Sequence, residues 1–186
     1  MEKVNFKPGT FMYPLPAVLV TSGDDTKSNV MTVAWTGIIC SDPAMTYVSI
    51  RKERYSYDII KKNMEFCINL VPKSLTYATD YCGVKSGRDE DKFESMHLIK
   101  QKAKLIKAPL IEQSPVNIEC KVQEIKPLGS HDMFIAKIVS VDVDPKYIDK
   151  NNKFDMQSCD LVSYIHGAYY EQGKFIGKFG YSVKKK

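Results

Sequence analysis

The sequence lacks several features that would assign it to a common functional class. It has no apolar run long enough to cross a bilayer, so no membrane span is predicted. Its first ten residues, MEKVNFKPGT, contain no apolar segment of the kind that a signal peptide needs. These absences predict a cytoplasmic protein that does not bind a membrane.

Motifs for metals, nucleotides and covalent catalysis are also missing. The chain contains no G-x-G-x-x-G, Walker A or G-x-S-x-G motif. Its three histidines, His97, His131 and His166, lie far apart, and the five cysteines include no C-x-x-C pair. We therefore predict no metal site. We also favour buried or half-buried thiols in a reducing compartment, with a redox-active Cys40 as the alternative.

The charge balance favours a small anionic ligand over nucleic acid. The formal net charge is +5, from 27 Lys and Arg against 22 Asp and Glu. No basic stripe is interleaved with aromatic residues, as a nucleic-acid surface would require. Nucleic-acid binding is therefore not predicted.

Short β-like segments dominate what the sequence does contain. The 186 residues are 44% hydrophobic and 26% charged, which predicts a single domain over residues 1–186. Turn residues separate the segments, as between strands. The β-like segments are AVLVTSG, NVMTVAWTGIIC, MTYVSIRK, EFCINLV, VNIECKVQEIKPLG and DMFIAKIVSVDVD. Within NIECKVQEI, Ile118, Cys120 and Val122 alternate with Glu119, Lys121 and Gln123, which predicts a half-buried strand.

Three short helices are predicted between the strands. SYDIIKKN would be capped by Ser56, KSLTYATDYCG would be capped by Ser74 and ended by Gly83, and DEDKFESM is the third. Long helices do not alternate with the strands, so a doubly wound parallel sheet is disfavoured. The predicted fold is mainly β, a β-barrel with peripheral helices.

Four polar clusters lie at predicted strand ends or turns. NVMTVAWT places Asn29 and Thr32 in an apolar run, and SIRKERYSYDII sets Arg51 before a helix start, a favourable place for a phosphate. The other two clusters are the loop CGVKSGRDEDKF and the turn LGSHDMF, which carries His131. Each alone is explained by solvated strand ends or ordinary turns. Together they offer phosphate donors, aromatic stacking groups and a loop histidine, which suit a phosphorylated planar heterocycle.

These segments, with APLIEQSPVNIECKV and YIHGAYYEQGKFIGKFGYS, resemble the flavin reductase-like family, in particular its flavoredoxin branch, along almost the whole chain. The resemblance implies a split β-barrel that forms a homodimer and binds FMN near the subunit interface. It implies an oxidoreductase that passes hydride or electrons through FMN N5, with NAD(P)H as a candidate donor. A non-catalytic FMN electron carrier that serves an electron-transfer protein is the alternative.

The resemblance also implies the residues of the site. His131 would be the catalytic residue near the open flavin face, although its Gly-Ser-His-Asp turn departs from the Gly-Asp-His order of related reductases. The residues implied to contact FMN come from the other three clusters. They are Asn29, Met31, Thr32, Val33, Ala34 and Trp35; Ser49, Ile50, Arg51 and Ser56; and Ser86, Gly87 and Lys92.

Overall fold

The secondary structure consists mainly of antiparallel strands. A computed structural model describes residues 1–183, which form twelve strands and three α-helices. The strands are β1 (Leu15–Pro16), β2 (Val18–Gly23), β3 (Ser28–Val33), β4 (Thr36–Ser41), β5 (Ala44–Arg51), β6 (Glu65–Leu70), β7 (Lys100–Gln101), β8 (Leu110–Ile111), β9 (Val116–Pro127), β10 (His131–Val143), β11 (Val162–Ile165) and β12 (Ala168–Glu171). The helices are α1 (Tyr55–Asn63), α2 (Thr76–Val84) and α3 (Lys92–Ser95). This content confirms the mainly β fold with peripheral helices.

A seven-stranded antiparallel sheet forms the centre of the molecule. Its strand order is β3-β2-β6-β9-β10-β5-β4. The two edge strands, β3 and β4, are consecutive in the chain and are joined only by Ala34 and Trp35. Such a link spans at most about 11 Å. The two edges must therefore approach each other at this link, so the sheet curls into a split barrel. The Trp35 carbonyl accepts a 2.9 Å hydrogen bond from the Ser49 amide, which continues the pairing of β4 with β5 into the link.

Strand β2 is buried on both faces, one inside the barrel and the other outside it. Along β2, Val18 and Val20 point into an inner cluster that contains Phe66 and Phe134. Leu19 points the other way, into an outer cluster that includes Phe93 of α3. A second sheet of order β1-β11-β12 contributes Val162 and Tyr164 to this outer cluster, so segments from both ends of the chain cover the same face.

The helix boundaries correct three details of the sequence prediction. Helix α1 begins at Tyr55 after Arg54, so Ser56 lies inside its first turn and is not the cap. Ser74 lies in a 3₁₀ turn, Lys73–Leu75, that precedes α2, and the N-cap of α2 is Leu75. Gly83 lies within α2, which ends one residue later at Val84. The third predicted helix forms as α3, where the Asp91 carboxylate accepts hydrogen bonds from the Phe93 and Glu94 amides.

Glu119 departs from the predicted alternation of β9. It is fully buried, whereas Lys121 and Gln123 are exposed as predicted. Its carboxylate accepts hydrogen bonds from the amides of Lys104 (2.8 Å) and Leu105 (2.7 Å). The segment that precedes β8 therefore covers this end of the sheet and supplies the partners that a buried carboxylate needs.

None of the helices formed by residues 1–183 is both long and apolar enough to cross a bilayer. Within the same residues, no group of three or more His, Cys, Asp or Glu side chains could hold a metal ion. The five cysteines are free thiols, with Cys40 partly exposed and the other four buried.

Candidate functional site

Two adjoining cavities lie where the barrel closes. The larger has a volume of about 390 Å³ and the smaller about 230 Å³. Met31, Arg54 and Val84 line both, so the cavities meet along these side chains. Together they form an elongated site between the sheet edge, the start of α1 and the end of α2.

The walls of these cavities contain every site residue that the sequence singled out. Those in the larger cavity are Met31, Thr32, Val33, Ala34, Trp35, Ser49, Ile50, Arg51 and His131. Those in the smaller cavity are Asn29, Met31, Ser56, Ser86, Gly87 and Lys92. Four segments that are separate in the sequence are thus brought into one site.

The polar residues of β3 connect the sheet to the two helices beside the site. The Asn29 amide donates to Ser56 Oγ at 2.7 Å, and the Thr32 hydroxyl donates to the Thr79 carbonyl of α2. Because Ser56 Oγ accepts this bond, its hydroxyl hydrogen stays free for another partner. Thr32 already donates its hydroxyl hydrogen, so it can only accept a further hydrogen bond. Thr36, the first residue of β4, bonds within the sheet and not to a helix, because its hydroxyl donates to the Tyr47 carbonyl at 2.5 Å.

An aromatic pair forms one wall of the larger cavity. The His131 ring lies 4.4 Å from the Trp35 ring, centroid to centroid, at an interplanar angle of 31°. Ser130 Oγ lies 2.9 Å from Nδ1 of His131. Burial, and then the nearby Arg51 guanidinium, lower the pKa of His131, so its ring is neutral at pH 7. The Trp35–His131 pair thus gives this wall aromatic surface together with the polar nitrogens of a neutral imidazole.

The smaller cavity has groups that attract an anion, and we call it the anion cavity. The first turn of α1 borders it, and the N–H groups at a helix N-terminus together with the helix dipole attract negative charge. Arg54, the N-cap residue, donates from Nη1 to the Gly83 carbonyl at 2.9 Å, which fixes the guanidinium between α1 and α2. Arginine remains charged in proteins even though burial lowers the pKa of this one.

Lys92 supplies a second buried cation to the smaller cavity. Its side chain is almost fully buried, and its Nζ donates to the carbonyls of Cys82 at 3.2 Å and Lys85 at 3.1 Å. Burial lowers its pKa to about 8. An ammonium group has three N–H donors, so one remains for an anion in the cavity.

Gly87 allows the loop after α2 to approach the site closely. A Cβ at this position would lie 2.1 Å from Asn29 Oδ1 and 2.8 Å from Tyr55 Cδ1. The loop therefore packs its backbone directly on the residues that border the anion cavity, which a larger side chain would prevent.

The structure divides a group that the sequence placed together. The sequence predicts a phosphate beside Arg51 and the helix start that follows it, but Arg51 lines the larger cavity, next to His131. Its side chain is 57% exposed and forms an ion pair with Glu53 at 3.4 Å. Arg54 instead borders the anion cavity.

Several wall residues were missed by sequence reasoning. Arg54 and Tyr55 adjoin the predicted helix start, and their proximity to Ser56 was a usable signal. Asp80, Tyr164 and Tyr169 line the larger cavity, where the Tyr169 hydroxyl donates to Asp80 Oδ1 at 3.3 Å. No local signal marked this pair, because only the packing of the small sheet on α2 brings the two residues together.

Comparisons with known proteins agree with the family resemblance found in the sequence. The family model described as flavin reductase like domain matches residues 10–172. The flavoredoxin of Desulfovibrio vulgaris (Miyazaki F) superposes with a TM-score of 0.90 at 32% identity, over 98% of this chain and 100% of that one. The flavoredoxin from Methanosarcina acetivorans gives 0.89 at 27% identity, over 99% and 100%.

A third solved structure bears on the fold. A protein with a split barrel domain from Shewanella frigidimarina NCIMB 400 gives a TM-score of 0.80 at 23% identity, over 90% of this chain and 86% of that one. These matches confirm the split β-barrel and the resemblance to flavoredoxins, and they support a flavin-binding redox function. The chain belongs to the family of flavin reductase like domains.

Proposed function

We propose that the protein is an FMN-dependent oxidoreductase of the flavin reductase or flavoredoxin type. The observation that carries the proposal is the pair of adjoining cavities: a larger one with the Trp35–His131 aromatic pair in its wall, and a smaller one bordered by a helix N-terminus, Arg54 and Lys92. This pairing matches a planar ring system joined to a phosphate.

The residues present fit FMN. The phosphate would lie in the smaller cavity, held by the third Lys92 donor, the Ser56 hydroxyl and the first-turn amides of α1. The Gly87 backbone leaves room for it. The ring system would lie against β3 and the Ala34–Trp35 link, with the remaining predicted contacts from Thr32 to Arg51 around it.

Bound FMN would supply hydride and electron transfer at N5, while the protein supplies orientation and access. The Trp35 ring packs against the His131 ring, and Ser130 Oγ lies at hydrogen-bond distance from Nδ1. When Nδ1 accepts the Ser130 hydroxyl, Nε2 carries the proton and can donate to a substrate amide or carbonyl. Tyr169, fixed by Asp80, borders the same cavity, so a NAD(P)H molecule would dock between it and His131.

A non-catalytic electron carrier is the second candidate. Trp35 is 37% exposed and Arg51 is 57% exposed at the rim of the larger cavity. A partner protein could therefore approach the flavin edge without a large rearrangement, and the similarity to flavoredoxins is consistent with this role.

One anaerobic titration distinguishes these functions. Protein loaded with FMN is mixed with NADH, with NADPH and with a reduced small iron–sulfur protein, and flavin absorbance is followed. Rapid bleaching by a nicotinamide is expected for the reductase. Bleaching by the reduced protein alone would identify the carrier, and failure to bind any flavin would refute both.

A further inference from the structure

A third cavity lies beyond the anion cavity, on the side away from the aromatic pair. Its volume is about 460 Å³, and it shares Tyr55 and Arg88 with the anion cavity. Lys27 and Lys62 line it together with Asp24 and Asp58. We call this cavity the outer groove; it does not border the ring site.

Arg88 is held at the boundary between the anion cavity and the outer groove. Its Nη1 donates to the Glu53 carbonyl at 2.9 Å, and its Cζ lies 5.4 Å from the centre of the Tyr55 ring. The Arg88 amide also donates to Ser86 Oγ at 3.2 Å. Because Gly87 packs on Tyr55, the backbone that carries Arg88 is fixed against the same ring.

We propose that Arg88, held against Tyr55, closes the phosphate end of the site and so selects flavin mononucleotide over flavin adenine dinucleotide. The inference rests on the proposed function and adds its specificity determinant. FMN ends at one phosphate, which the anion cavity accommodates. A dinucleotide continues into a second phosphate and an adenosine, which must leave that cavity past Arg88.

The outer groove provides the space that a dinucleotide would enter once Arg88 is removed. Lys27 Nζ lies 5.7 Å from the centre of the Tyr55 ring, so a cation lies at the entrance to the groove. This cation can pair with the second phosphate, and the cavity is large enough for an adenosine.

Removal of the Arg88 side chain has opposite expected effects on FAD affinity, depending on whether Arg88 acts through its charge or by blocking the passage. If Arg88 acted only as a cation, its removal would weaken the binding of every phosphorylated flavin. Tighter binding of the dinucleotide after the loss of a positive charge can only report an opened passage. The absolute affinity for FAD is therefore the decisive measurement.

The experiment measures Kd for FMN, FAD and riboflavin by fluorescence titration of flavin-free full-length protein. Wild type is expected to bind FMN more tightly than FAD by about tenfold or more. Arg88→Ala should tighten FAD binding by about tenfold. Lys85→Ala is the matched control: it removes an exposed cation from the same loop and cavity wall, away from Tyr55, and should not tighten FAD binding.

Each other outcome contradicts a defined part of the inference. Unchanged or weaker FAD binding by Arg88→Ala, in a variant whose thermal melt matches wild type, overturns the closure. Equal wild-type affinities for FMN and FAD overturn it too, yet leave the flavoprotein assignment standing, whereas absence of any flavin binding refutes the proposed function itself. Adding Lys27→Ala to Arg88→Ala should remove most of the gain, and a retained gain would overturn the assignment of the outer groove.

Discussion

Lys92 is the residue whose environment most directly links structure to ligand binding. Its pKa of about 8 reflects burial, and an anion placed at its free donor would raise that pKa. FMN binding is therefore expected to take up protons above pH 8, and affinity should fall as pH rises from about 8 toward the bound-state pKa. The phosphate remains a dianion here, since its second pKa is about 6.

Calorimetry at pH values just above 8, in two buffers with different ionisation enthalpies, measures this proton uptake. Lys92→Met keeps the side-chain length and should abolish the uptake while it weakens FMN binding by about 2–5 kcal/mol. Equal proton uptake in wild type and Lys92→Met would assign the effect to another group.

Two neighbouring arginines are expected to differ sharply. Arg54 is fixed by the Gly83 carbonyl at the anion cavity, so Arg54→Ala should weaken FMN binding by about 2–5 kcal/mol. Arg51 is largely solvated and lies at the other cavity, so Arg51→Ala should change the binding free energy by less than about 0.5 kcal/mol. Titration of flavin-free variants decides. The reverse order would mean that Arg51 reaches the phosphate, as the sequence alone suggested.

His131 is expected to act on the rate of flavin reduction and not on flavin binding. His131→Ala should keep FMN bound but slow reduction, by about 10²–10⁴-fold if the ring donates a proton. Stopped-flow reduction by NADH and NADPH measures the rate. His166→Ala is the control, because His166 is exposed outside both cavities. An unchanged rate with a lowered melting temperature would restrict His131 to packing against Trp35.

At the level of elements, the loop between α2 and α3 depends on one glycine. Gly87→Ala would force its Cβ onto Asn29, which is itself buried and bonded to Ser56. The loop must then move away from α1, so FMN affinity should fall by at least about tenfold. Gly173→Ala is the matched control, since a Cβ there meets nothing within 4 Å. Retained FMN affinity in Gly87→Ala would show that the loop does not shape the anion cavity.

Most strands could be predicted because β-branched runs and turn residues encode them locally. The predicted DMFIAKIVSVDVD segment matches β10 within one residue at each end. The uncharged NVMTVAWTGIIC run was predicted as one strand, yet it divides at Ala34 and Trp35. Neither Ala34 nor Trp35 is a turn former. The break at this link arises from barrel closure, which is a property of the whole sheet.

The candidate site was partly predictable for a similar reason. Asn29 is a polar group in an otherwise apolar run, and Ser56 and Lys92 belong to the polar clusters at predicted strand ends and turns. All three line the anion cavity. Arg54 and Arg51 have the same local character in the sequence. Which of the two borders the anion cavity depends on where α1 begins beside the sheet edge. Because α1 begins at Tyr55, Arg54 takes that position.

At the scale of the whole molecule, the site exists because distant parts of the chain close over one sheet edge. Strands β1, β11 and β12 come from both chain ends and place Tyr164 and Tyr169 across from the Ala34–Trp35 link. Helices α1 and α2 supply further wall residues, and Asp80 of α2 accepts the hydrogen bond of Tyr169. A site assembled in this way is expected to lose flavin before the barrel core unfolds, since its walls depend on the less extensive outer contacts.

The edge strand β4 leads to an expectation about assembly. Ile38 and Ile39 of this strand are 73% and 47% exposed, and an apolar edge strand is prone to pair with another chain. We expect a homodimer that covers this edge, with the two copies related by a twofold axis. Light scattering at micromolar concentration should give twice the chain mass.

Ile38→Lys should shift the protein toward monomer, because a charge buried in an apolar contact is costly. Val141→Lys, at a comparably exposed apolar position on β10, should leave the mass unchanged. A monomeric mass for wild type with FMN bound would contradict this assembly.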